Sequence, residues 1–481
     1  RRSSDLIWVA DSPLLMTVDE LAKAVSGTIL CDYSHLNGFS SVVTDSRNVL
    51  PGSLFVPLMG EFRDGHTYIN KALELGASVI FVDAAHGEGS ASLFCTMGKQ
   101  NSACFIVVQN TLHALQDAAR AYLGKFPKLL KIGITGSSGK TTTKEIIGAI
   151  FARKYRVVMN EGNLNSETGL PLSVFKVRKE HEVGIFELGM NRRGEIAEIA
   201  RVLSPSLALI TNVGTAHIGI LGTQQAIAEE KKEIFSNFTS ACVGFVPEDD
   251  EWKIFLCDIQ SGMVRTFGRR SISGFSGAED MGIEGTLIHY EGRDIRFPLP
   301  GPYNLKNALA AIALACHAGI GPDDIKAGIE SVRPLFGRAE IIRGDVTIML
   351  DCYNANPDSM ESAIEFCKDL SWSGRKIFTI GSMLELGEES ASAHRRICDV
   401  ARNANPDLVF LFGQEIVDAG ATTDWGTIPV QFHTDIEKLT ESLARAVHSG
   451  DFVFIKGSRG MALERVCPAL TKKNCGGGSH A

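Results

Sequence analysis

The stretch GITGSSGKTTTKE, residues 133–145, combines residue types that can grip an anion. Gly136 and Gly139 let the backbone turn tightly and aim N–H groups at one point, and a helix starting there adds the positive end of its dipole. Lys140 brings a point charge suited to β- and γ-phosphates, and the Thr141 hydroxyl can ligate Mg²⁺. The long pattern G-x-x-x-x-G-K-[ST] asks for a glycine where Ile134 stands. That position belongs to the preceding strand, so the working loop is the shorter TGSSGKT. The bland alternative is a glycine-rich strand-to-helix turn with a solvated lysine; spacing, Lys140, Thr141 and context together disfavour it.

Three further residues could complete a phosphate or metal site. Glu187 ends the apolar run VGIF, and a carboxylate at a buried strand end costs several kcal/mol, roughly, unless it has a cation or donor partner. A structural salt bridge is the alternative reading. His217, in TNVGTAHIG, follows the run 207–211 and reaches the same sheet edge if the two strands are neighbours; otherwise it is an ordinary loop histidine. In AIAEEKKEIF, residues 226–235, Ile227, Ala228, Ile234 and Phe235 form one apolar arc on a helical wheel. Lys231 falls at its centre, pointing inward, where an ammonium is costly unless paired or chemically changed. A snorkelling lysine is the plain alternative.

The elements that must carry these residues follow from the apolar pattern. Residues 17–110 mix short apolar runs (53–58, 78–82, 104–108) with a helical pattern at 18–26, which predicts a small α/β domain. A helix at 114–123 leads to the strand 129–134, and alternation of apolar strands (183–186, 207–211) with amphipathic helices predicts a mostly parallel, helix-wrapped sheet. At 284–300, two β-rich runs flank Glu291-Gly292, a hairpin expected to be appended to that sheet. The helix 304–318 follows. Four more apolar strands, at 346–350, 376–380, 408–412 and 452–455, predict a second doubly wound α/β domain. The expected division is therefore 1–110, 111–335 and 336–481. Such a length exceeds what one hydrophobic core supports.

Composition bounds the function. With 481 residues, 44% hydrophobic and 22% charged, and a net charge of 48 − 56 = −8, the chain is an ordinary soluble one. Mild acidity argues against nucleic acid or anionic membrane as the main partner. There is no apolar run of about 18 residues and no basic-then-apolar leader, so a cytoplasmic location is expected. Eleven scattered cysteines without a C-x-x-C pair predict neither a zinc site nor a disulfide framework. The RRSS start and GGGS end are linker-like, and both termini are expected to be disordered.

These pieces, in this order, resemble the Mur ligases. The resemblance runs from about 17 to 467 and is carried by TDSR (44–47), PGSLFVPLMGEFRDGH (51–66), TGSSGKTTTKE, NEGNLNSETGLPLSVF (160–175), FELGMNRRGEI (186–196) and TNVGTAHIG with its following lysine. It continues through GPYNLKNALAA (301–311), GRAE (337–340), DCYNANPDSM (351–360), MLELGE (383–388) and KGSRGM (456–461). The family spells its phosphate loop T-G-[ST]-x-G-K-[ST], which Thr135–Thr141 matches. ELGMN and YNANPDSM point to the branch that adds D-alanyl-D-alanine to UDP-N-acetylmuramoyl-tripeptide.

The resemblance implies three α/β domains and a role for each matching residue. Gly136, Ser137, Ser138, Gly139, Lys140, Thr141 and Thr142 would hold the ATP phosphates. Thr141 and Glu187 would ligate one Mg²⁺; His217 and a carbamylated Lys231 would hold a second. Asn304 and Asn307 would contact the adenine side, Arg338 the γ-phosphate, and Asp351 the ribose or phosphate. Ser46 and Arg47 would lie in the UDP-binding domain, Asn163, Asn165 and Thr168 beside the UDP-muramoyl peptide, and Asn354 and Asn356 beside the dipeptide. The implied enzyme is a monomer that makes an acyl phosphate and then an amide, with the third domain closing over the second.

Three positions depart from the family pattern: Tyr303 where His is common before Asn304, Ser382 where Asp precedes M-L-E-L-G, and Cys352 beside Y-N-A-N. The rival readings are a P-loop kinase, a nucleotide-gated scaffold, and a relative such as folylpolyglutamate synthase. Intact Lys140, Glu187, His217 and Lys231 oppose the scaffold, and DCYNANPDSM opposes the synthase.

Overall fold

The buried apolar runs of the sequence form the strands of a computed structural model that describes residues 13–30, 34, 36–60 and 63–471. Both linker-like ends, and Glu61 and Phe62 of the 51–66 motif, lie outside the described residues. Two compact units divide the chain: one holds the residues up to Gly133, with Arg156–Met190 and Gly194–Ser206, and the other holds Ile134–Tyr155, Asn191–Arg193 and the chain from Leu207.

In the first unit, a five-stranded sheet runs in the order Thr28–Leu30, Cys104–Val108, Val79–Asp83, Ser53–Phe55, Ser41–Val43. Only the Thr28–Leu30 edge pairs antiparallel. Phe55, Ile80, Val82 and Phe105 bury one face against the helix Ile69–Glu74. The helix Val18–Ala24 starts at a reciprocal cap in which Thr17 and Glu20 exchange side-chain-to-backbone bonds. Asp64 ties the RDGH turn down through both oxygens, to His66 Nδ1 and His86 Nε2, each at 2.8 Å. Asp83 N–H donates to His66 Nε2, which leaves the His66 proton on Nδ1, facing Asp64. This tautomer makes the trio a structural clasp, although its donor atoms cluster as metal ligands do. The strands Val157–Met159 and Val183–Glu187 of this unit pair parallel.

In the second unit, Leu207–Ile210, Val243–Pro247 and Met263–Phe267 form a parallel ladder. The helix Lys140–Phe151 packs against the helix Pro302–His317, whose proline occupies the first turn, where its missing N–H costs nothing. The hairpin at 284–300 departs from expectation. Its strands, Thr286–Tyr290 and Arg293–Phe297, join Phe275–Asp280 in a separate three-stranded antiparallel sheet rather than extending the parallel one. Glu291 and Gly292 both have positive φ, 51° and 70°, the turn that matches strand twist.

The C-terminal sheet has the order Glu340–Ile342, Thr347–Asp351, Phe452–Lys456, Lys376–Gly381, Leu408–Phe412, Val430–His433. All neighbours are parallel except the first pair. Two apolar clusters cover its two faces, one built on Phe378, Phe454 and Ile397, the other on Ile348, Phe410 and Leu443. It is a doubly wound α/β layer. No described helix is long and apolar enough to cross a membrane. Eight described cysteines are free, but Cys95 is disulfide-bonded, contrary to the expectation from spacing. Scattered cysteines give no local signal of pairing.

Candidate active site

The TGSSGKT loop is held by the strand end that follows Leu207–Ile210. Asn212 is its main clamp: Oδ1 accepts from Ser137 N (3.2 Å) and Ser138 N (3.0 Å), and Nδ2 donates to Ser138 Oγ at 2.9 Å. Thr211 Oγ1 donates to Ser138 O at 2.6 Å, and Gly214 N donates to Ser137 Oγ at 2.8 Å. Lys140 Nζ folds back onto Gly136 O at 2.9 Å. Both loop glycines are required. A Cβ on Gly136 would lie 1.8 Å from Thr211 Oγ1, and one on Gly139 (φ 78°) would lie 2.4 Å from Asn307 Oδ1. Thr142, buried, follows Thr141 in the first turn of the helix.

Three basic groups converge here. Lys231, on the helix Gln224–Lys232, is 1% exposed, as its place on the apolar arc requires. Burial, then the neighbouring Lys140 charge, holds its amine well below the ordinary lysine range. Lys232 lies outside that arc, its ammonium over the Phe255 ring at 4.1 Å. Burial, with Lys140 and Lys231 adding to it, pushes His217 down to about 4. His217 Nδ1 is buried and makes no hydrogen bond; Glu385 Oε2, at 3.5 Å, is its nearest carboxylate partner. A neutral imidazole with a buried, unsatisfied nitrogen, and a buried amine whose charged form is disfavoured, suit metal ligation and carbamate chemistry better than charge pairing.

C-terminal residues reach the same loop. Arg338 Nη2 donates to Thr141 Oγ1 at 2.9 Å, and its guanidinium lies 4.1 Å from the Tyr353 ring centroid. Both Asp351 carboxylate oxygens have protein partners: Oδ1 accepts from Ala339 N at 3.2 Å and Oδ2 from Lys456 Nζ at 2.6 Å. Asn356 caps the helix Pro357–Asp369 through Ser359 N at 2.9 Å, whereas Asn354 is exposed. A pocket lined by His217, Asn354, Asn356, Glu385, Ser458 and Arg459 opens between these segments. Asn304 Nδ2 donates to Pro300 O, and Asn307 Nδ2 donates to Asn304 Oδ1 at 3.3 Å, which sets Asn307 against Gly139.

The departures have local consequences. The Tyr303 hydroxyl is buried without a partner, and burial drives it far above the usual phenol range. Ser382 Oγ accepts from Ile416 N at 3.2 Å, in the first turn of the helix Gln414–Ala421. Cys352 is buried, and burial pushes its thiol up to about 12, so it is a small core residue rather than a reactive one.

The remaining candidates lie in the first unit. Glu187 is 3% exposed and accepts from Asn165 Nδ2 at 2.7 Å. Asn160 brackets the Glu187 backbone, accepting from its N–H at 2.9 Å and donating to its carbonyl at 3.1 Å. Asn165 N donates to Asn163 O, and Thr168 immediately precedes the helix Gly169–Val174. Ser46 is buried at the start of a short 3₁₀ turn, while the Arg47 side chain is 86% exposed and forked onto Asp45.

Comparison with known proteins shows the family. Three family models match: "Mur ligase family, catalytic domain" over 39–123, "Mur ligase middle domain" over 134–315, and "Mur ligase, glutamate ligase domain" over 337–459. A UDP-N-acetylmuramoyl-tripeptide--D-alanyl-D-alanine ligase of Treponema pallidum is 48% identical, covering 96% of this chain and 100% of the relative. The chain belongs to the Mur ligase family. A Bacillus subtilis protein of the same description is 33% identical over 94% of this Mur ligase and 98% of its own length. Among solved structures, MurF from Acinetobacter baumannii superposes with a TM-score of 0.83 at 28% identity, over 95% of this chain and 99% of that one. MurF from Thermotoga maritima in complex with ADP gives 0.74 at 27% identity, over 90% and 97%.

Several residues around this candidate site are not singled out by the motifs alone: Asn212, Tyr353, Asp358, Glu385 and Lys456. All sit inside matching motifs, which was their available signal. Their roles depend on partners distant in sequence.

Proposed function

We propose that this chain is the ATP-dependent ligase that joins D-alanyl-D-alanine to UDP-N-acetylmuramoyl-tripeptide, giving the pentapeptide, ADP and phosphate, in the last cytoplasmic step of peptidoglycan precursor assembly. The observation that carries the reading is the Arg338–Thr141 hydrogen bond, because it sets the segment leading into YNANPDSM directly against the phosphate loop. Full-length relatives described by this reaction supply the substrates.

The tripeptide's terminal carboxylate attacks the γ-phosphorus, forming an acyl phosphate and releasing ADP. The amine of the dipeptide then attacks the acyl carbon, phosphate leaves, and the amine loses a proton. The first step brings an anion toward anionic oxygens, so Lys140, the loop N–H groups and Arg338 serve by offsetting that repulsion. Asn163, Asn165 and Thr168 would orient the carboxylate and Ser46 and Arg47 the uridine diphosphate. Asn304, Asn307 and Asp351 are assigned to the nucleoside side, and Asn354 and Asn356 to the dipeptide.

Mg²⁺ fits the donors assigned to it: the Thr141 hydroxyl and Glu187 carboxylate are hard oxygens, and His217 Nδ1 is a buried nitrogen without a hydrogen bond. Lys231 completes the set as a carbamate, formed when its neutral amine adds to CO₂ and releases a proton. Bound there, Mg²⁺ would supply charge neutralisation at the phosphate oxygens. A monomer in the cytoplasm suffices for this chemistry.

The test is phosphate release from ATP with the tripeptide substrate, with and without D-alanyl-D-alanine. Free phosphate that appears only with the dipeptide supports the ligase. A stable phosphorylated tripeptide, formed regardless of dipeptide, would make it a kinase.

A further inference from the structure

Arg338 reaches the phosphate loop on a long side chain with several rotatable bonds, so something must hold it there. Its backbone is pinned on both sides by the strand end that follows Thr347–Asp351. Gly337 O accepts from Tyr353 N at 3.0 Å, and Ala339 N donates to Asp351 Oδ1 at 3.2 Å. Ala339 is in the left-handed region, φ 52°, which a non-glycine residue keeps only when its surroundings impose it. Lys456, 2% exposed, takes the other Asp351 oxygen at 2.6 Å. The backbone is thus fixed, but the side chain still needs a guide. Tyr353 supplies one: the Arg338 guanidinium carbon sits over its half-buried ring, 4.1 Å from the centroid, while Nη2 of the same group reaches Thr141 Oγ1.

We propose that Tyr353 is a positioning residue, whose ring face aims the Arg338 guanidinium at the phosphate loop. It touches no reacting atom and acts through Arg338. A planar guanidinium stacked on a ring loses rotational freedom before substrate arrives, so less order has to be imposed during the reaction. The contact needs the ring and not the hydroxyl. This inference rests on the reading of Arg338 as a γ-phosphate clamp.

A double-mutant cycle on the full chain separates the two. Turnover is measured with ATP, UDP-muramoyl-tripeptide and D-alanyl-D-alanine for wild type, Tyr353→Phe, Tyr353→Leu, Arg338→Ala and Arg338→Ala/Tyr353→Leu, with thermal unfolding as the check on folding. Tyr353→Phe should stay within about twofold of wild type, and Tyr353→Leu should lose roughly 2- to 30-fold in kcat with the tripeptide KM unchanged. In the Arg338→Ala background, Tyr353→Leu should cost nothing further. Should the leucine variant not fold, Tyr353→Met takes its place. Equal losses for Phe and Leu, or a leucine loss that persists without Arg338, would overturn the positioning role. Full activity of Arg338→Ala would instead overturn the clamp on which it rests.

Discussion

Asp358 Oδ2 accepts two hydrogen bonds from Thr215, from N at 2.7 Å and from Oγ1 at 2.9 Å. Gly214, next to Thr215, donates to Ser137 of the phosphate loop, so one short chain of bonds links YNANPDSM to TGSSGKT. These bonds hold the YNANPDSM segment and the TGSSGKT loop in register. Asp358→Ala removes the acceptor and leaves a part-buried N–H without it, at a cost of about 1–3 kcal/mol. The expected outcome is a higher KM for both ATP and dipeptide. Unchanged kinetics in steady-state assays would show that the link is incidental.

Gly139 has no space for a side chain. Its φ of 78° and the Asn307 oxygen 2.4 Å from any added Cβ leave no room for a methyl group. Gly139→Ala should abolish ATP binding in calorimetry while UDP-muramoyl-tripeptide binding is retained. Retained ATP affinity would mean that the loop opens away from Asn307 to accept nucleotide.

Lys231 gives a spectroscopic prediction. With ¹³C-bicarbonate supplied, the wild-type protein should show a carbamate carbon resonance that Lys231→Ala lacks, and the variant should lose on the order of 10²-fold or more in kcat. Absence of the resonance together with unchanged activity would contradict the carbamate assignment.

A pH effect on stability follows from His394. It is fully buried, donates from Nδ1 to Ser390 O at 2.7 Å and accepts from Met383 N at Nε2, 2.9 Å, so the folded protein keeps it neutral. Burial lowers its pKa from 6.5, against smaller raising effects of Ser390 and Glu415. The unfolded chain therefore takes up a proton near 6.5 that the folded chain refuses until lower pH. Its contribution is present above that value and is lost as pH falls from it toward the folded pKa, at no more than about 1.4 kcal/mol per pH unit. His181, His317 and His433, also lowered by burial, add the same sign. Between pH 7 and 5.5, His394→Gln should lose less thermal stability than wild type; an equal loss would remove His394 as a cause.

What could be read from the chain tracks how local each feature is. The loop was legible because its glycines, lysine and threonine are consecutive, and the inward turn of Lys231 because helical periodicity places it among Ile227, Ala228, Ile234 and Phe235. The strand Phe275–Asp280 was not, since its exposed and half-exposed residues show no apolar alternation, and its pairing made the 284–300 hairpin a separate sheet. Glu340–Ile342 and Val430–His433 are short edge strands with little buried surface to mark them. Arg338 and Thr141 are 197 positions apart, and nothing in either segment announces that the Arg338 guanidinium lies over the ring of Tyr353. Such partners are set by the packing of sheets, which a linear pattern does not encode.

The ligase reaction is tested most directly by its product. Purified protein incubated with ATP, UDP-muramoyl-tripeptide and D-alanyl-D-alanine, then resolved by mass spectrometry, should convert the tripeptide to a species heavier by the dipeptide less one water, with one ADP and one phosphate formed per product. An unchanged tripeptide mass, with ATP bound and the protein folded, would contradict it.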